Sequence, residues 1–335
     1  MVSAPVFAPT CAFGLVGTSR AMDRLRETIR RVSRSDRPVL VIGPTGSGKE
    51  LVVRAIHARG DRAGEPLVDV NCGAIPEPLM ESFLFGHERG AFTGATRRQD
   101  GSLTLVREGT LFLDEIAELP LMLQTKLLRV LESRRFAPVG SPVVKEFRGR
   151  VIAATHAALE QLVAANLFRE DLFYRLNVLT VAVPGLHERL DDIPALVEHF
   201  CQQQARPLHL PRESIDLLRA SPWPGNVRQL RNLIDRLAVF SEGEIVPPEL
   251  LRGFLNGHAS QEQGGEGIGS LFEAVLRLSV DNKLEAVTDA LIAHAMGVCQ
   301  GNKSAVARLL GVHRKAIERR TEKASRGKLA EGLRP

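Results

Sequence analysis

The stretch Val39-Leu-Val-Ile-Gly-Pro-Thr-Gly-Ser-Gly-Lys49 decides the fold. Four apolar residues of strand length precede a glycine-rich turn and a lysine, after which a helical pattern begins. Such a turn lets consecutive backbone N–H groups point at phosphate oxygens, and the lysine adds a positive charge at the helix N-terminus. The sequence therefore predicts a nucleotide-binding loop. The residues predicted to hold the nucleotide here are Gly43, Pro44, Thr45, Gly46, Ser47, Gly48, Lys49, Glu50 and Leu51.

A second apolar run, Thr110–Leu113, ends in two carboxylates, Asp114 and Glu115. In a fold built on a phosphate-binding loop this strand lies beside the loop. We therefore expect Asp114 to hold Mg²⁺ through its coordination water, and Glu115 to polarise the water that attacks the terminal phosphate. Another anchor for the metal is needed because Glu50 stands where the general motif has Ser or Thr. The two motifs together predict Mg²⁺-dependent ATP hydrolysis.

Composition places the 335-residue chain among soluble globular proteins, with 25% charged residues. No apolar run approaches the roughly 18 residues that a membrane-spanning helix needs. The first 15 residues contain prolines and no basic leader, so we expect neither a secretory signal nor a membrane partner. The four cysteines lie far apart without a CxxC or Cys/His cluster, which argues against structural zinc and a disulfide framework. This cysteine usage fits a reducing cytoplasm, and we expect a cytoplasmic protein.

The apolar pattern divides the chain into several units. Between residues 14 and 185, strand-like apolar runs alternate with amphipathic stretches, which is typical of an α/β domain with a parallel sheet. The predicted strands are Val39–Ile42, Leu67–Asn71, Thr110–Leu113 and Val151–Ala154. We expect a short extension at 1–13, an α/β ATPase subdomain at 14–185, an α-helical subdomain at 186–252, a Gly- and Ser-rich flexible linker at 253–270, and a C-terminal domain at 271–335.

Positive charge is concentrated at the C-terminal end. Residues 301–335 hold ten basic and three acidic residues, a local charge of +7, whereas the whole chain has a net charge of +5. The segment 304–320 has the pattern of a helix, a tight turn at Gly311 and a second helix. The apolar residues predicted to form its core are Val306, Leu309, Leu310, Val312 and Ile317.

A helix-turn-helix with this charge predicts DNA binding, and a purely structural helical hairpin is the alternative. Basic side chains would meet phosphates, while the first residues of the second helix would reach base edges. The DNA-contacting residues predicted from this pattern are Lys303, Ser304, His313, Arg314, Lys315, Glu318, Arg319 and Arg320.

Residues 86–95, GHERGAFTGA, give the clearest resemblance to a known family. The hexapeptide from Gly90 resembles the signature loop in the central AAA+ domain of bacterial enhancer-binding proteins, the activators of sigma-54 RNA polymerase. Its chemistry suits a mobile contact loop, because a glycine near each end serves as a hinge. A solvent loop with one misplaced phenylalanine is the alternative. The resemblance implies that sigma-54 contacts Gly90, Ala91, Phe92, Thr93, Gly94 and Ala95, with Phe92 and Thr93 touching it directly.

The same resemblance, which covers about 14–250, implies roles around the nucleotide. Asn71 would restrain the catalytic glutamate, and Thr155 would detect the loss of the γ-phosphate. Arg228, in the segment Trp223-Pro-Gly-Asn-Val-Arg228, would project from the helical lid onto the nucleotide. The pair Val16 and Gly17 stands where the family binds the base.

Two arginines are assigned by the resemblance to a neighbouring subunit's site. Arg169 and Arg175 lie in a segment that resembles the family's arginine-finger helix, and they would stabilise the transition-state charge in trans. Arginines six residues apart on a helix are otherwise usual on a solvated face. Fingers acting in trans imply a ring, and the resemblance implies a hexamer. The C-terminal unit resembles the Fis-type helix-turn-helix of the family, which would bind enhancer DNA.

The leading hypothesis is an activator that binds upstream enhancer DNA, hydrolyses ATP in a ring and converts closed complexes of the sigma-54 RNA polymerase holoenzyme to open complexes. The alternatives are a DNA-binding regulator in which ATP only sets the oligomeric state, and an AAA+ remodeller of other complexes. About 13 residues precede the AAA+ region, so we expect no N-terminal receiver or sensory domain. Control would then come from expression level, a trans-acting inhibitor or a paired co-activator.

Overall fold

The computed structural model describes residues 14–241, 243–255, 283–299 and 301–312, together with residues 314, 315, 317 and 319. The chain divides into two compact units, one ending at Phe254 and the other beginning at Leu255. The predicted extension at 1–13 and the predicted DNA contacts His313, Glu318 and Arg320 lie outside the described residues, as does the predicted linker beyond residue 255.

The first unit is built on a parallel sheet of five strands in the order β2-β5-β8-β1-β9. Both β1 and β8 are central and consist almost wholly of buried residues, as expected for strands covered on both faces. The remaining strands form two short antiparallel hairpins, β3 with β4 and β6 with β7. The strands are β1 Val39–Ile42, β2 Leu67–Asn71, β3 Gly86–His87, β4 Gln99–Asp100, β5 Thr110–Asp114, β6 Arg135–Phe136, β7 Lys145–Glu146, β8 Arg150–Thr155 and β9 Leu179–Ala182.

Helices cover both faces of this sheet and then form a separate helical layer. Because successive strand residues point to opposite faces, Phe112 of β5 packs into the core beneath α1 and α2, while its neighbours Leu111 and Leu113 pack into the core beneath α3, α5 and α7. The helices are α1 Arg20–Ser33, α2 Lys49–Arg59, α3 Glu77–Phe85, α4 Ser102–Leu105, α5 Leu121–Ser133, α6 Leu159–Ala164, α7 Glu170–Leu176, α8 Ile193–Gln202, α9 Arg212–Ala220, α10 Asn226–Phe240, α11 248–255, α12 Lys283–Val298 and α13 Lys303–Leu309.

The α/β fold class and the four predicted strands are confirmed. The fifth strand, β9, was not predicted, although it lies in an apolar run at 178–183. It stands at the sheet edge and alternates buried with exposed residues, unlike the strands that are buried on both faces. The predicted start of the linker at Gly253 is wrong by three residues, since α11 continues to residue 255. The Phe254 ring lies 5.5 Å from the Phe240 ring, so the last turn of α11 packs against the end of α10.

The second unit contains α12 and α13. Its core joins Ile292 and Ala295 of α12 to Val306 and to Ile317. Gly311 adopts the predicted left-handed conformation with φ 65°. The prediction that Leu309 and Val312 belong to this core is wrong. Leu309 is 60% exposed and Val312 is 45% exposed, because α13 turns the face holding Val306, Ala307 and Leu310 toward α12.

None of the helices in the described part of the chain has the length and apolar character needed to cross a bilayer. The three cysteines of that part, Cys72, Cys201 and Cys299, are free thiols. Burial raises the pKa of the Cys72 thiol to about 12 and that of Cys201 to about 11. These two thiols are therefore protonated at neutral pH and behave as small apolar side chains.

Candidate active site

The nucleotide-binding loop runs from the end of β1 into α2. Gly46 has φ 74° and Gly48 has φ 103°, conformations that residues with a side chain rarely adopt. Gly48 is the N-cap of α2, so the N–H groups of the first helical turn are directed toward the loop. The buried Ser47 hydroxyl has no hydrogen-bond partner among the described residues. This combination of backbone donors and an orphaned hydroxyl fits the oxygens of a phosphate chain.

Lys49 and Glu115 face each other at this loop. The Lys49 side chain is buried, and its Nζ donates a hydrogen bond to the Gly43 carbonyl oxygen at 3.0 Å. Nζ also lies 3.7 Å from Oε1 of Glu115, while Oε2 of Glu115 lies 2.7 Å from Nδ1 of His156. The structure thus brings the predicted phosphate-binding lysine and the predicted water-activating glutamate together.

Asp114 ends β5 directly opposite Asn71 at the end of β2. Burial, and secondarily the adjacent Glu115 carboxylate, raises the pKa of Asp114 above its usual range. The described residues include no cluster of three or more His, Cys, Asp or Glu side chains suited to a metal ion. Mg²⁺ is commonly held by one or two carboxylates together with substrate phosphates and waters, so Asp114 beside a phosphate-binding loop fits that ion.

The helical lid closes the site from the other side. Asn226, at the start of α10, donates from Nδ2 to the Thr45 carbonyl at 3.0 Å. The backbone N–H of Arg228 donates to the Gly46 carbonyl at 3.2 Å, so the lid is joined to the loop itself. One cavity is lined by residues of the loop, the β5 end and the lid, namely Thr45, Gly46, Gly48, Lys49, Glu50, Leu51, Asp114, Glu115, Phe200, Val227, Arg228 and Arg231.

The segment that contains Val16 and Gly17 is held by a buried carboxylate. Asp192 accepts hydrogen bonds from the Thr18 N–H at 2.6 Å, and from the N–H and hydroxyl of Ser19, both at 2.7 Å. Gly17 has φ 143°, and a Cβ there would lie 2.6 Å from the Asp192 carboxylate. Asp192 therefore fixes the predicted base-binding segment against the start of α8.

A buried arginine, Arg189, holds the phosphate-binding loop in position. Arg189 donates from Nη2 to the Ser47 carbonyl at 2.9 Å, and burial lowers the pKa of its guanidinium. Neither Arg189 nor Asp192 was predicted. The only local sign is a pair of opposite charges three residues apart, directly before the apolar face of α8, and this spacing is also usual on solvated helices. Asn226 and His156 were missed as well, because their partners are distant in the sequence.

Three of the predicted site residues have side chains engaged in their own local structure. Asn71 Oδ1 accepts hydrogen bonds from the N–H groups of Gly73 and Ala74 at 3.0 and 3.1 Å. Thr155 Oγ1 accepts from the Ala157 N–H at 3.0 Å. Glu50 pairs with Arg54 at 2.7 Å on the surface of α2. No hydrogen bond joins Asn71 to Glu115, both of which are described, so the restraining role of Asn71 stays a prediction.

Arg169 and Arg175 lie away from the cavity that holds Lys49. The Arg169 guanidinium pairs with Asp171 at the start of α7, with Nη2 2.7 Å from Oδ2. The Nη2 atom of Arg175 donates to the Leu131 carbonyl at 3.1 Å. Within one protomer, therefore, neither arginine reaches the phosphate-binding loop of its own chain.

The predicted contact loop is the tip of the β3–β4 hairpin. Its base is closed by a hydrogen bond from the Gly90 N–H to the Ala95 carbonyl at 2.8 Å. Gly90 and Gly94 have φ 81° and 106°, as expected of positions that only glycine adopts readily. Thr93 is exposed, whereas the Phe92 ring is 40% exposed and packs edge-on against His87, with ring centroids 5.0 Å apart.

In the second unit, the side chain of Asn302 caps α13 by accepting hydrogen bonds from the N–H groups of Ser304 and Ala305 at 3.1 and 3.2 Å. Arg314, Lys315 and Arg319 are exposed, and Lys303 and Ser304 are half-buried. Three exposed basic side chains, Arg314, Lys315 and Arg319, thus follow the turn at Gly311, where a DNA-contacting helix would begin.

Comparison with protein families matches three consecutive parts of the chain. Residues 15–182 match the sigma-54 interaction domain, residues 187–267 match the AAA+ ATPase lid domain, and residues 283–323 match the Fis family of bacterial regulatory proteins. These matches follow the order of the sheet unit, the helical layer and the C-terminal unit. The AAA+ P-loop fold is therefore confirmed.

Comparison with individual proteins agrees. The chain is 39% identical over 328 residues to the DNA-binding transcriptional regulator NtrC of Azospirillum brasilense. This alignment covers 91% of this chain and 68% of that protein. It is 41% identical over 310 residues to the transcriptional regulatory protein ZraR of Escherichia coli K12, and that alignment covers 91% of this chain and 67% of ZraR. A crystal structure of NtrX from Brucella abortus in complex with ATP has a TM-score of 0.69 and 36% identity, covering 92% of this chain and 69% of that one. The chain belongs to the family of NtrC-like, sigma-54-dependent transcriptional activators, with an AAA+ domain and a Fis-type helix-turn-helix.

Proposed function

We propose that this protein binds enhancer DNA through its C-terminal unit, assembles into a ring and uses ATP hydrolysis to convert closed complexes of sigma-54 RNA polymerase to open complexes. The observation that carries the proposal is the pairing of Lys49 with Glu115 at the phosphate-binding loop, in the same unit that presents the Gly90–Ala95 loop. A protein that only sensed ATP would need Lys49 but neither Glu115 nor the contact loop.

The chemistry follows from the positions of the side chains. The loop N–H groups and Lys49 bind the phosphates of ATP, a ligand that the related NtrX structure contains. Oε1 of Glu115, which faces Lys49, accepts a proton from the attacking water. Asp114 holds Mg²⁺, which when bound neutralises the negative charge on the β- and γ-phosphates. Arg228 contributes a further positive charge from the lid, and the Val16–Gly17 segment receives the base.

The ring is supported by what one protomer lacks. Arg169 and Arg175 are absent from the lining of the protomer's own cavity, whose described cationic side chains are Lys49, Arg228 and Arg231, so the two predicted finger arginines could act only on another subunit's nucleotide. We infer that a neighbouring subunit supplies these arginines and that a hexamer completes every site. Inactive Glu115→Gln protein mixed with inactive Arg175→Ala protein then regains ATPase activity, because some interfaces combine an intact glutamate with an intact finger. Failure of every mixing ratio would place the arginines outside the reaction.

Movement of the contact loop is the output of the cycle. The loop is reached from the β2 end through the turn at Asn71 and then α3, whose last residue precedes β3. A conformational change at the nucleotide can therefore reach Phe92 and Thr93 along the chain through one helix, α3, and one short strand, β3. We propose that hydrolysis releases Phe92 from His87 and presents both loop residues to sigma-54.

The test is formation of heparin-resistant open complexes on a sigma-54 promoter with Mg²⁺ and ATP. Wild-type protein is expected to form them and Glu115→Gln protein, which still binds ATP, is not. Equal promoter opening by the two proteins would show that ATP acts only as a switch of assembly. If wild-type protein captures a different complex and leaves the sigma-54 holoenzyme unchanged, the protein remodels another target.

A further inference from the structure

The two oxygens of the Glu115 carboxylate have different surroundings. Oε2 is engaged at 2.7 Å by Nδ1 of His156, whereas Oε1 lies 3.7 Å from Lys49 Nζ, beyond hydrogen-bond distance. An ionised carboxylate only accepts hydrogen bonds, so Nδ1 of His156 carries the proton in this contact. One oxygen is therefore anchored and the other is left facing the phosphate-binding loop.

The backbone places these two side chains side by side. Glu115 follows β5 and His156 follows β8, and these strands are parallel neighbours in the sheet, so their ends lie at the same edge. Glu115 adopts the left-handed conformation, with φ 49° and ψ 52°, which fixes the direction in which its side chain leaves the chain. The residue before His156 is tied to the loop as well, because the Thr155 carbonyl accepts a hydrogen bond from the Gly43 N–H at 3.2 Å.

We propose that His156 is the positioning residue for the catalytic glutamate: its Nδ1–H anchors Oε2 of Glu115, so that Oε1 is directed at the water beside the terminal phosphate. The inference deepens the proposed ATPase function and rests on it. In the described residues the glutamate is held by His156, whereas Asn71 Oδ1 accepts from the turn at Gly73 and Ala74 and no hydrogen bond joins Asn71 to Glu115. The β8 end then connects the nucleotide loop, through Thr155 and His156, to the group that activates the water.

The kinetic test compares two substitutions at the same position. His156→Ala removes the anchor, and kcat for ATP hydrolysis is expected to fall by about tenfold or more, because a freely rotating carboxylate rarely points at the water. His156→Asn retains an N–H donor near the position of Nδ1 and is expected to restore most of kcat. The dissociation constant for a fluorescent ATP analogue stays at the wild-type value in both, since His156 is not part of the cavity lining.

Two further variants serve as controls. His294→Ala removes an exposed histidine from α12 in the second unit and is expected to leave kcat unchanged. Asn71→Ala tests the alternative restraint directly, and its kcat is expected to fall less than that of His156→Ala. The melting temperature of each variant shows whether the substitution has disturbed the fold.

A spectroscopic measurement is independent of hydrolysis. The hydrogen bond to Glu115 keeps the proton on Nδ1, so the ring ¹⁵N shifts of His156 in the nucleotide-free protein are expected to report the Nδ1–H form. In Glu115→Ala protein this preference is lost and the shifts move toward those of an ordinary exposed histidine, while the signal of His294 does not move. The effect requires no Mg²⁺ and no turnover.

The outcomes separate the inference from the proposed function. Absence of ATP hydrolysis in the wild-type protein contradicts the proposed function, whereas the ¹⁵N result still tests the contact. The inference is overturned if wild-type protein hydrolyses ATP and His156→Ala does so at the same kcat. It is also overturned if His156→Asn is as slow as His156→Ala, if the loss lies in nucleotide affinity alone, or if Asn71→Ala is the slower variant.

Discussion

Lys49 Nζ lies 3.7 Å from Oε1 of Glu115, with the lysine buried and hydrogen-bonded to the Gly43 carbonyl. At this distance the two charges attract each other without forming a direct hydrogen bond. A phosphate group bound to Lys49 would therefore lie next to the glutamate oxygen. Lys49 is expected to serve ATP binding and Glu115 to serve ATP hydrolysis, so replacement of each residue should give a different defect.

We expect Lys49→Ala to lose ATP binding and Glu115→Gln to lose hydrolysis only. Removal of the lysine takes away the positive charge that the phosphates meet, whereas glutamine keeps the shape of glutamate but is a poor proton acceptor. The expected loss of kcat in Glu115→Gln is at least about 100-fold. Fluorescent nucleotide titration and phosphate release measure the two effects separately. Full-rate hydrolysis by Glu115→Gln would assign water activation to another group.

Gly46→Ala is expected to weaken ATP binding by separating the lid from the phosphate-binding loop. An added Cβ would collide with the Gly225 carbonyl of the lid and lie 3.0 Å from Cβ of Arg228. The positive φ of 74° adds strain of about 1 to 3 kcal/mol to any residue with a side chain. Gly64→Ala is the matched control, because its Cβ would meet nothing within 4 Å. Equal ATP affinity in the two variants would show that the lid contact does not shape the site.

Asp192→Asn is expected to loosen the segment that contains Val16 and Gly17. The fully buried carboxylate accepts three hydrogen bonds from Thr18 and Ser19. These hydrogen bonds are expected to weaken in the variant, because the amide of asparagine carries no negative charge. The expected cost is about 2 to 3 kcal/mol of unfolding free energy, together with a higher dissociation constant for ATP. Urea unfolding and nucleotide titration measure these effects. The exposed neighbour provides the control, since Asp191→Asn should change stability by no more than about 0.5 kcal/mol.

The double substitution of Arg314 and Lys315 by Ala is expected to weaken binding to duplex DNA of any sequence. If both side chains contact phosphates, the slope of log affinity against log salt concentration falls by about 2. Replacement of both by the alternative basic residue, Arg314→Lys with Lys315→Arg, should retain the slope. An unchanged slope in the alanine variant would place the DNA contacts outside the start of the second helix.

The sequence predicted those features that are encoded locally. The phosphate-binding loop is a continuous run with three glycines and Lys49, and the buried strands β1, β2, β5 and β8 are short runs of apolar residues, so both could be identified from neighbours in the chain. By contrast, β9 is an edge strand whose burial alternates, and its apolar run at 178–183 is closed at once by Pro184, so the sequence did not mark it as a strand buried on both faces.

Contacts between distant residues could not be predicted in the same way. Asp192 is buried against Thr18 and Ser19, and the side chain of Asn226 donates a hydrogen bond to the Thr45 carbonyl. The partners in each contact are separated by more than 170 residues in the sequence. The exposure of Leu309 has the same origin, since the face of α13 that is buried depends on where α12 packs. Helical spacing alone predicted both Val306 and Leu309 to be buried.

Thr93 is the residue at which coupling of hydrolysis to polymerase can be tested. Heparin-resistant open complexes on a sigma-54 promoter and the ATPase rate are measured for wild-type and Thr93→Ala protein under the same conditions. We expect both proteins to hydrolyse ATP at similar rates and only the wild-type protein to open the promoter. Promoter opening by Thr93→Ala at the wild-type level would contradict a role of the loop in coupling hydrolysis to polymerase.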